Sequence, residues 1–308
     1  MTDITKTTFL FTICIITFFS CQQVSTHTQA IETKKSSALQ NIKNKPYTLN
    51  KSSVHHLISS INHKKYDIYV KLPPSYKKTE KAYPILVLTD AGYAFPLVAS
   101  ISRRLFFAKR LEEFIIVGIS YAKGEHFGIS RTRDYTPTYS PNETLGYSKA
   151  ARSASGQADK FIEFIKKDLF TFLDKTYRVD LNKKVFAGHS LGGLLANYMV
   201  VSAPETFEYY LSGSPSLWYH NQSIFTIEEK YAQQHKNLSA NLYMCIGDKE
   251  DNQGPYKMVS QMFEFHKKLL SRSYKNLRVE ALSLPGEDHE TMYPSFITKG
   301  ILWAFKTE

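Results

Sequence analysis

The stretch VFAGHSLGGLLANYMV, Val185 to Val200, places a single serine between glycines where an apolar strand pattern passes into a helical one. A serine hydroxyl attacks a carbonyl only when a base takes its proton and donors receive the charge that develops. Gly188 and Gly192 flank Ser190 in the spacing G-x-S-x-G. That is the spacing of a nucleophile elbow, where small neighbours let a strand and a helix approach while the serine sits exposed on a strained turn. Gly193 relieves further crowding. An ordinary Gly-Ser turn has the same letters, but here KVFAG (184–188) reads as a buried strand and Leu191 to Val201 as a helix rich in Leu and Ala. Ser190 is therefore the expected nucleophile.

A base and an orienting acid must complete the set. In hydrolases built on such an elbow the chain order is Ser, acid, His. Of the ten histidines, His27, His55, His56, His63 and His126 precede Ser190, and His189 cannot fold back onto its neighbour. His220, His235 and His266 follow the serine, the last two in helical patterns with solvated neighbours. His289, in the turn-rich PGEDHET after the last strand pattern, is the expected base. The acid belongs after the strand pattern Asn241–Ile246, in the turn GDKEDN (247–252). Hydrolases of this kind often place it three residues after such a glycine, which favours Glu250, then Asp251, then Asp248. The oxyanion donors are expected at the Leu191 N–H and in a loop after the strand ending at Asp90, from Gly92 or Ala91.

The elements that must position these groups read as strands alternating with helices. Two antiparallel strands, about 53–60 and 66–72, open the domain. Strand patterns follow at 83–90, 114–121, 184–188, 209–212, 241–246 and 277–284. Helical spacing marks 157–177, 191–201, 226–234, 257–271 and 294–305. This predicts an α/β fold with a mostly parallel sheet and helices on both faces. The segment from Tyr121 to about Gly156 has no clear period; loops of this length are usually functional or carry small elements of their own. With 308 residues, one large domain is expected over 51–308.

Thr7 to Ser20, TTFLFTICIITFFS, has signal-peptide length and ends at FFSC, a lipobox-like site that makes Cys21 the expected lipidated residue. The expected organisation is a signal over 1–20, a polar tether over 21–50, and export to a membrane-attached position facing the periplasm or cell surface. A plain secretory signal or an uncleaved anchor is the alternative. Of the three cysteines, Cys14 leaves with the signal and Cys21 carries lipid, so Cys245 has no partner and no disulfide framework is expected. The net charge of +11 is scattered along the chain, and no nucleic-acid-binding module is visible. No H-E-x-x-H or carboxylate-rich ligand cluster is present, so no metal or cofactor is expected.

The chain resembles the putative-esterase branch of α/β-hydrolases, which includes enterochelin (siderophore) esterases and esterase D-like enzymes. The resemblance runs from about Ser53 to Phe305. It rests on YDIYVKLPPSY (66–76), YPILVLTDAGYAF (83–95), RTRDYTPT (131–138), the 156–180 stretch, GHSLGG, SGSPSLWY (212–219) and GEDHETMYPSF (286–296). It implies the α/β-hydrolase fold and hydrolysis of a small-molecule ester by Ser190 and His289 without a metal. Asp90-Ala91 departs from the Asp-Gly of many relatives. Arg133 either pairs with Asp134 to brace the long segment or lines the pocket. Tyr93 is a further pocket candidate, and Trp218 and Tyr219 belong either to the pocket wall or to the core. An acyltransferase using the same site, and a non-catalytic binding lipoprotein on this fold, are the rival functions.

Overall fold

Side-chain alternation along the inner strands dictates a sheet covered on both faces. The computed structural model describes residues 46–143 and 147–307; the run Thr7–Ser20, Cys21 and most of the expected tether lie outside them. From Leu49 onward the chain forms one unit around β1 (Ser52–Ile58), β2 (Lys65–Lys71), β3 (Tyr83–Leu88), β4 (Ile115–Ala122), β5 (Val179–His189), β6 (Tyr209–Gly213), β7 (Asn237–Gly247) and β8 (Lys275–Leu284). Their order in the sheet is β1-β2-β4-β3-β5-β6-β7-β8. The β1–β2 and β2–β4 pairs are antiparallel and every other pair is parallel.

On one face, Ile85, Val87 and Phe186 enter the larger core. On the other, Leu86, Leu88, Val185 and Ala187 enter the smaller one. This is the period-two consequence of a pleated strand buried on both sides. Helices α1 (Ala91–Phe107) and α9 (Tyr293–Phe305) cover the smaller core. Helices α2 (Phe127–Tyr135) and α3 (Lys149–Ala154) are the small elements carried by the segment without a clear period. The larger core is covered by α4 (Ala158–Phe164), a π-helical turn (Ile165–Leu169), α5 (Phe170–Thr176), α6 (Leu191–Ser202), α7 (Tyr219–Gln234) and α8 (Met258–Ser271).

Two features not read from the sequence bear on the site. The chain does not loop after Asp90; α1 begins at once with Ala91. Its buried residues Ala91, Ala94, Phe95, Val98, Ala99 and Ser102 have helical spacing, but Pro96 interrupts the pattern with a residue that cannot donate within a helix. In α2 the buried positions are Ser130, Thr132, Arg133, Asp134 and Tyr135. A helix that buries polar side chains leaves no hydrophobic period to read. Among the described residues no helix is long and apolar enough to cross a membrane.

Candidate active site

The turn from β5 into α6 decides where Ser190 points. Ser190 has φ 61 and ψ −115, a left-handed conformation that costs a non-glycine residue free energy. It is tolerated because its neighbours have no side chains to collide. A Cβ on Gly188 would stand 2.2 Å from the Gly192 carbonyl oxygen, and one on Gly193 would stand 2.7 Å from that of Gly213. The Ser190 N–H donates to the Gly213 oxygen at 2.9 Å, and its carbonyl accepts from the Ser216 N–H at 3.1 Å. The 212–216 stretch thus clamps the turn from the neighbouring strand. Almost all of α6 is buried, so the helix cannot shift to relieve the strain.

The loops after β7 and β8 bring the acid and the histidine together. Glu250, buried at the start of a 3-10 turn, accepts a 2.8 Å hydrogen bond from His289 Nδ1 at its Oε2. Its Oε1 accepts from the Ser214 hydroxyl at 2.6 Å and from the Gly247 N–H at 2.9 Å. The other two carboxylates of the turn are engaged elsewhere. Asp248 Oδ1 accepts from the Gly286 N–H at 2.8 Å, tying the β7 loop to the β8 loop. Asp251 Oδ1 accepts from the Val259 N–H at 2.7 Å and its Oδ2 from the Ser260 hydroxyl at 2.6 Å, so it serves the first turn of α8.

Ser190 and His289 together line two cavities. One, of about 530 Å³, has walls that include Tyr93, Tyr121, Arg131 and Tyr293. The other, of about 460 Å³, includes Ser216, Trp218, Glu250 and Tyr256. Trp218 and Tyr256 stack with ring centres 3.9 Å apart and planes inclined by 10°. Tyr93 packs edge-on to Tyr293 at 5.3 Å. Tyr219, by contrast, is buried and donates to the Thr138 carbonyl at 3.0 Å. The Ser190 hydroxyl pairs with Ser216 Oγ at 3.3 Å in this resting geometry.

Of the two roles open to Arg133 the structure shows the pairing with Asp134, and one expectation, the loop at Gly92, changes. Arg133 does not line either cavity; it is buried against Asp134 Oδ1 at 2.9 Å and against Glu125 and Tyr66. The arginine in the wall is Arg131, because residues two apart on a helix face nearly opposite ways. Gly92 belongs to the first turn of α1, not to a loop, and a Cβ there would meet open space. Leu191, Ala91 and Gly92 are the opening residues of their helices, where N–H groups have no intrahelical acceptor.

His189, Ser214, Ser216 and Arg131 are neighbours of the site that chemical spacing alone did not single out. His189 lies under His289, ring centres 4.6 Å apart. Burial, with the charges of His289 and Arg131, pushes its imidazole down to about 3, and its Nε2 has no hydrogen-bond partner. It therefore stays neutral near neutral pH.

A family model described as "Putative esterase" matches residues 59–291. The chain belongs to this esterase family. It is similar to the ferri-bacillibactin esterase BesA of Bacillus subtilis, with 26% identity over 266 residues, covering 84% of this chain and 91% of the relative. It is 25% identical over 250 residues to the siderophore triacetylfusarinine C esterase of Aspergillus fumigatus, covering 72% of this chain and 82% of that one. An IroE-like serine hydrolase from Shewanella oneidensis superposes with TM-score 0.71 and 26% identity over 82% of this chain and 79% of that one. The BES protein of Bacillus cereus superposes with TM-score 0.74 and 22% identity over 86% of this chain and all of its own (100%). The esterase chain has the α/β-hydrolase fold.

The buried His189 makes the esterase's stability depend on pH in a definite direction. Its folded pKa of about 3 lies below the ordinary 6.5. Below that ordinary value the unfolded chain takes up a proton that the folded state refuses, so stability falls as pH drops from 6.5 toward about 3. The slope is at most about 1.4 kcal/mol per pH unit for one proton. Urea denaturation at about pH 7 and about pH 4.5 is expected to show a smaller loss for His189→Asn than for wild type. Equal losses would contradict the neutral, buried imidazole.

Proposed function

We propose that the chain hydrolyses carboxylic esters of small molecules through a Ser190–His289–Glu250 site and an acyl-enzyme. The observation that carries this reading is the 2.8 Å bond from His289 Nδ1 to the buried Glu250 carboxylate, beside a serine at an elbow facing the same cavities. A carboxylate only accepts, so this bond keeps the proton on Nδ1 and leaves Nε2 as the base. The Ser190 hydroxyl turns from Ser216 to His289, gives up its proton and attacks the ester carbonyl. The oxyanion is received by the Leu191 N–H and by an N–H at the start of α1, from Ala91 or Gly92. The imidazolium of His289 protonates the leaving alcohol, and a water activated by the same nitrogen releases the acid.

The substrate class that the relatives favour is a siderophore ester, since the Aspergillus fumigatus relative is by name a siderophore esterase and the Bacillus subtilis one a ferri-bacillibactin esterase. The two cavities that Ser190 and His289 both line suit a bulky ester with substantial groups on both the acyl and the alcohol side. We further propose export and lipid attachment through Cys21, supported by the apolar run and FFSC.

Glu250→Gln is expected to lower kcat by roughly 10²–10⁴-fold with little change in KM, because the lost interaction matters mainly in the transition state. Ser190→Ala is expected to abolish turnover while leaving the fold intact, and Asp251→Asn to leave kcat near wild type. If Asp251→Asn causes the loss and Glu250→Gln does not, the acid is misassigned. In a bacterial host the full chain is expected to incorporate labelled palmitate, and Cys21→Ser to abolish incorporation. Labelling that survives the substitution would overturn the lipid attachment.

A further inference from the structure

Asp90 is an unusual residue to find beside an oxyanion site. Its carboxyl side chain is buried, at 1% exposure. It caps α1 in a left-handed conformation, φ 54 and ψ 42, without a side-chain bond to the helix. Its Oδ2 lies 3.6 Å from the point where a Cβ on Gly192 would stand, against the first turn of α6. The carboxylate therefore occupies the junction of the two helix starts that supply the oxyanion donors. Those helix ends favour negative charge, but a fixed carboxylate would repel a second negative charge developing nearby, and a desolvated one costs free energy unless paired.

The pairing comes from α2. Arg131 Nε donates to Asp90 Oδ1 at 2.7 Å and Nη2 to Oδ2 at 3.2 Å, a two-pronged bond across 41 residues of sequence. The guanidinium also sits 5.8 Å from the ring centre of Tyr135, whose hydroxyl accepts from the Asp90 N–H at 3.5 Å. Helix α2 packs in turn on α6.

We propose that Arg131 is a positioning residue that neutralises Asp90 and fixes the start of α1, so that the two helix starts can hold an oxyanion. Two of its donors are committed to Asp90, and the pair as a whole presents little net charge to the cavity. The role rests on the ester-hydrolysing reading given above, but the charge coupling itself is a property of the fold.

The test is a double-mutant cycle of Arg131→Met, Asp90→Asn and the combined variant, with a neutral and an anionic p-nitrophenyl ester and with urea denaturation of each protein. Arg131→Met leaves a buried carboxylate unpaired; kcat for the neutral ester is expected to fall by about 10²-fold with KM nearly unchanged, and the urea midpoint to drop. Adding Asp90→Asn is expected to restore the midpoint and return kcat to within about tenfold of wild type. Arg131→Lys, which keeps the charge, is expected to fold and retain most of that kcat. A combined variant no better than Arg131→Met, in stability or in kcat, overturns the proposal. So does a rise in KM confined to the anionic ester, which would make Arg131 a substrate-binding group. If wild type turns over neither ester, the hydrolytic reading fails, while the urea limb of the cycle still decides whether Arg131 neutralises Asp90.

Discussion

Ser190 is held at φ 61, a backbone conformation found in neither a strand nor a helix, and most of the site is arranged around keeping it there. Strand β5 ends one residue earlier and α6 begins one residue later. The close approach this requires leaves no room for a Cβ at Gly188 or Gly193. Strain of this kind persists only where the surroundings over-determine it. Here the surroundings are the buried α6 on one side and the 212–216 clamp from β6 on the other. The elbow also sets the direction in which α6 starts, and with it the N–H of Leu191.

Negative charge is distributed around this turn in separate, paired positions. Glu250 is bound by His289, Ser214 and Gly247, Asp248 ties two loops, and Asp251 serves α8. Asp90 is matched by Arg131, and Asp134 by Arg133. Glu250, Asp90 and Asp134 are buried, and none of the three is left without a partner in the interior, where an isolated charge would be costly. The consequence is that the buried carboxylates near the turn leave little unmatched charge. His189 belongs to the same arrangement, because its burial keeps the imidazole neutral.

Much of this was legible in the sequence for local reasons. The elbow announces itself through glycines at fixed offsets between a strand and a helix, and His289 and Glu250 through their place after the last strands. What could not be read depends on distant partners or on buried polarity. Helix α1 was hidden by Pro96 and by Asp90-Ala91-Gly92, whose letters read as a turn after the strand. Helix α2 was hidden because it buries polar residues. Arg133 drew attention because its partner Asp134 is adjacent, whereas the partner of Arg131 lies 41 residues away and on another element. Ser214 and Ser216 lie in a turn whose letters alone do not distinguish a clamp from a connection.

The central claim is that Ser190 is the nucleophile set up by this turn and by the His289–Glu250 pair. The most direct measurement is reaction of the wild-type chain with a fluorophosphonate, followed by intact-mass analysis and peptide mapping. The account predicts one phosphonyl group per chain, carried on Ser190, because it lines both cavities at the elbow and lies beside donors that stabilise the adduct. A label on any other residue, or none on a protein that hydrolyses esters, would contradict it.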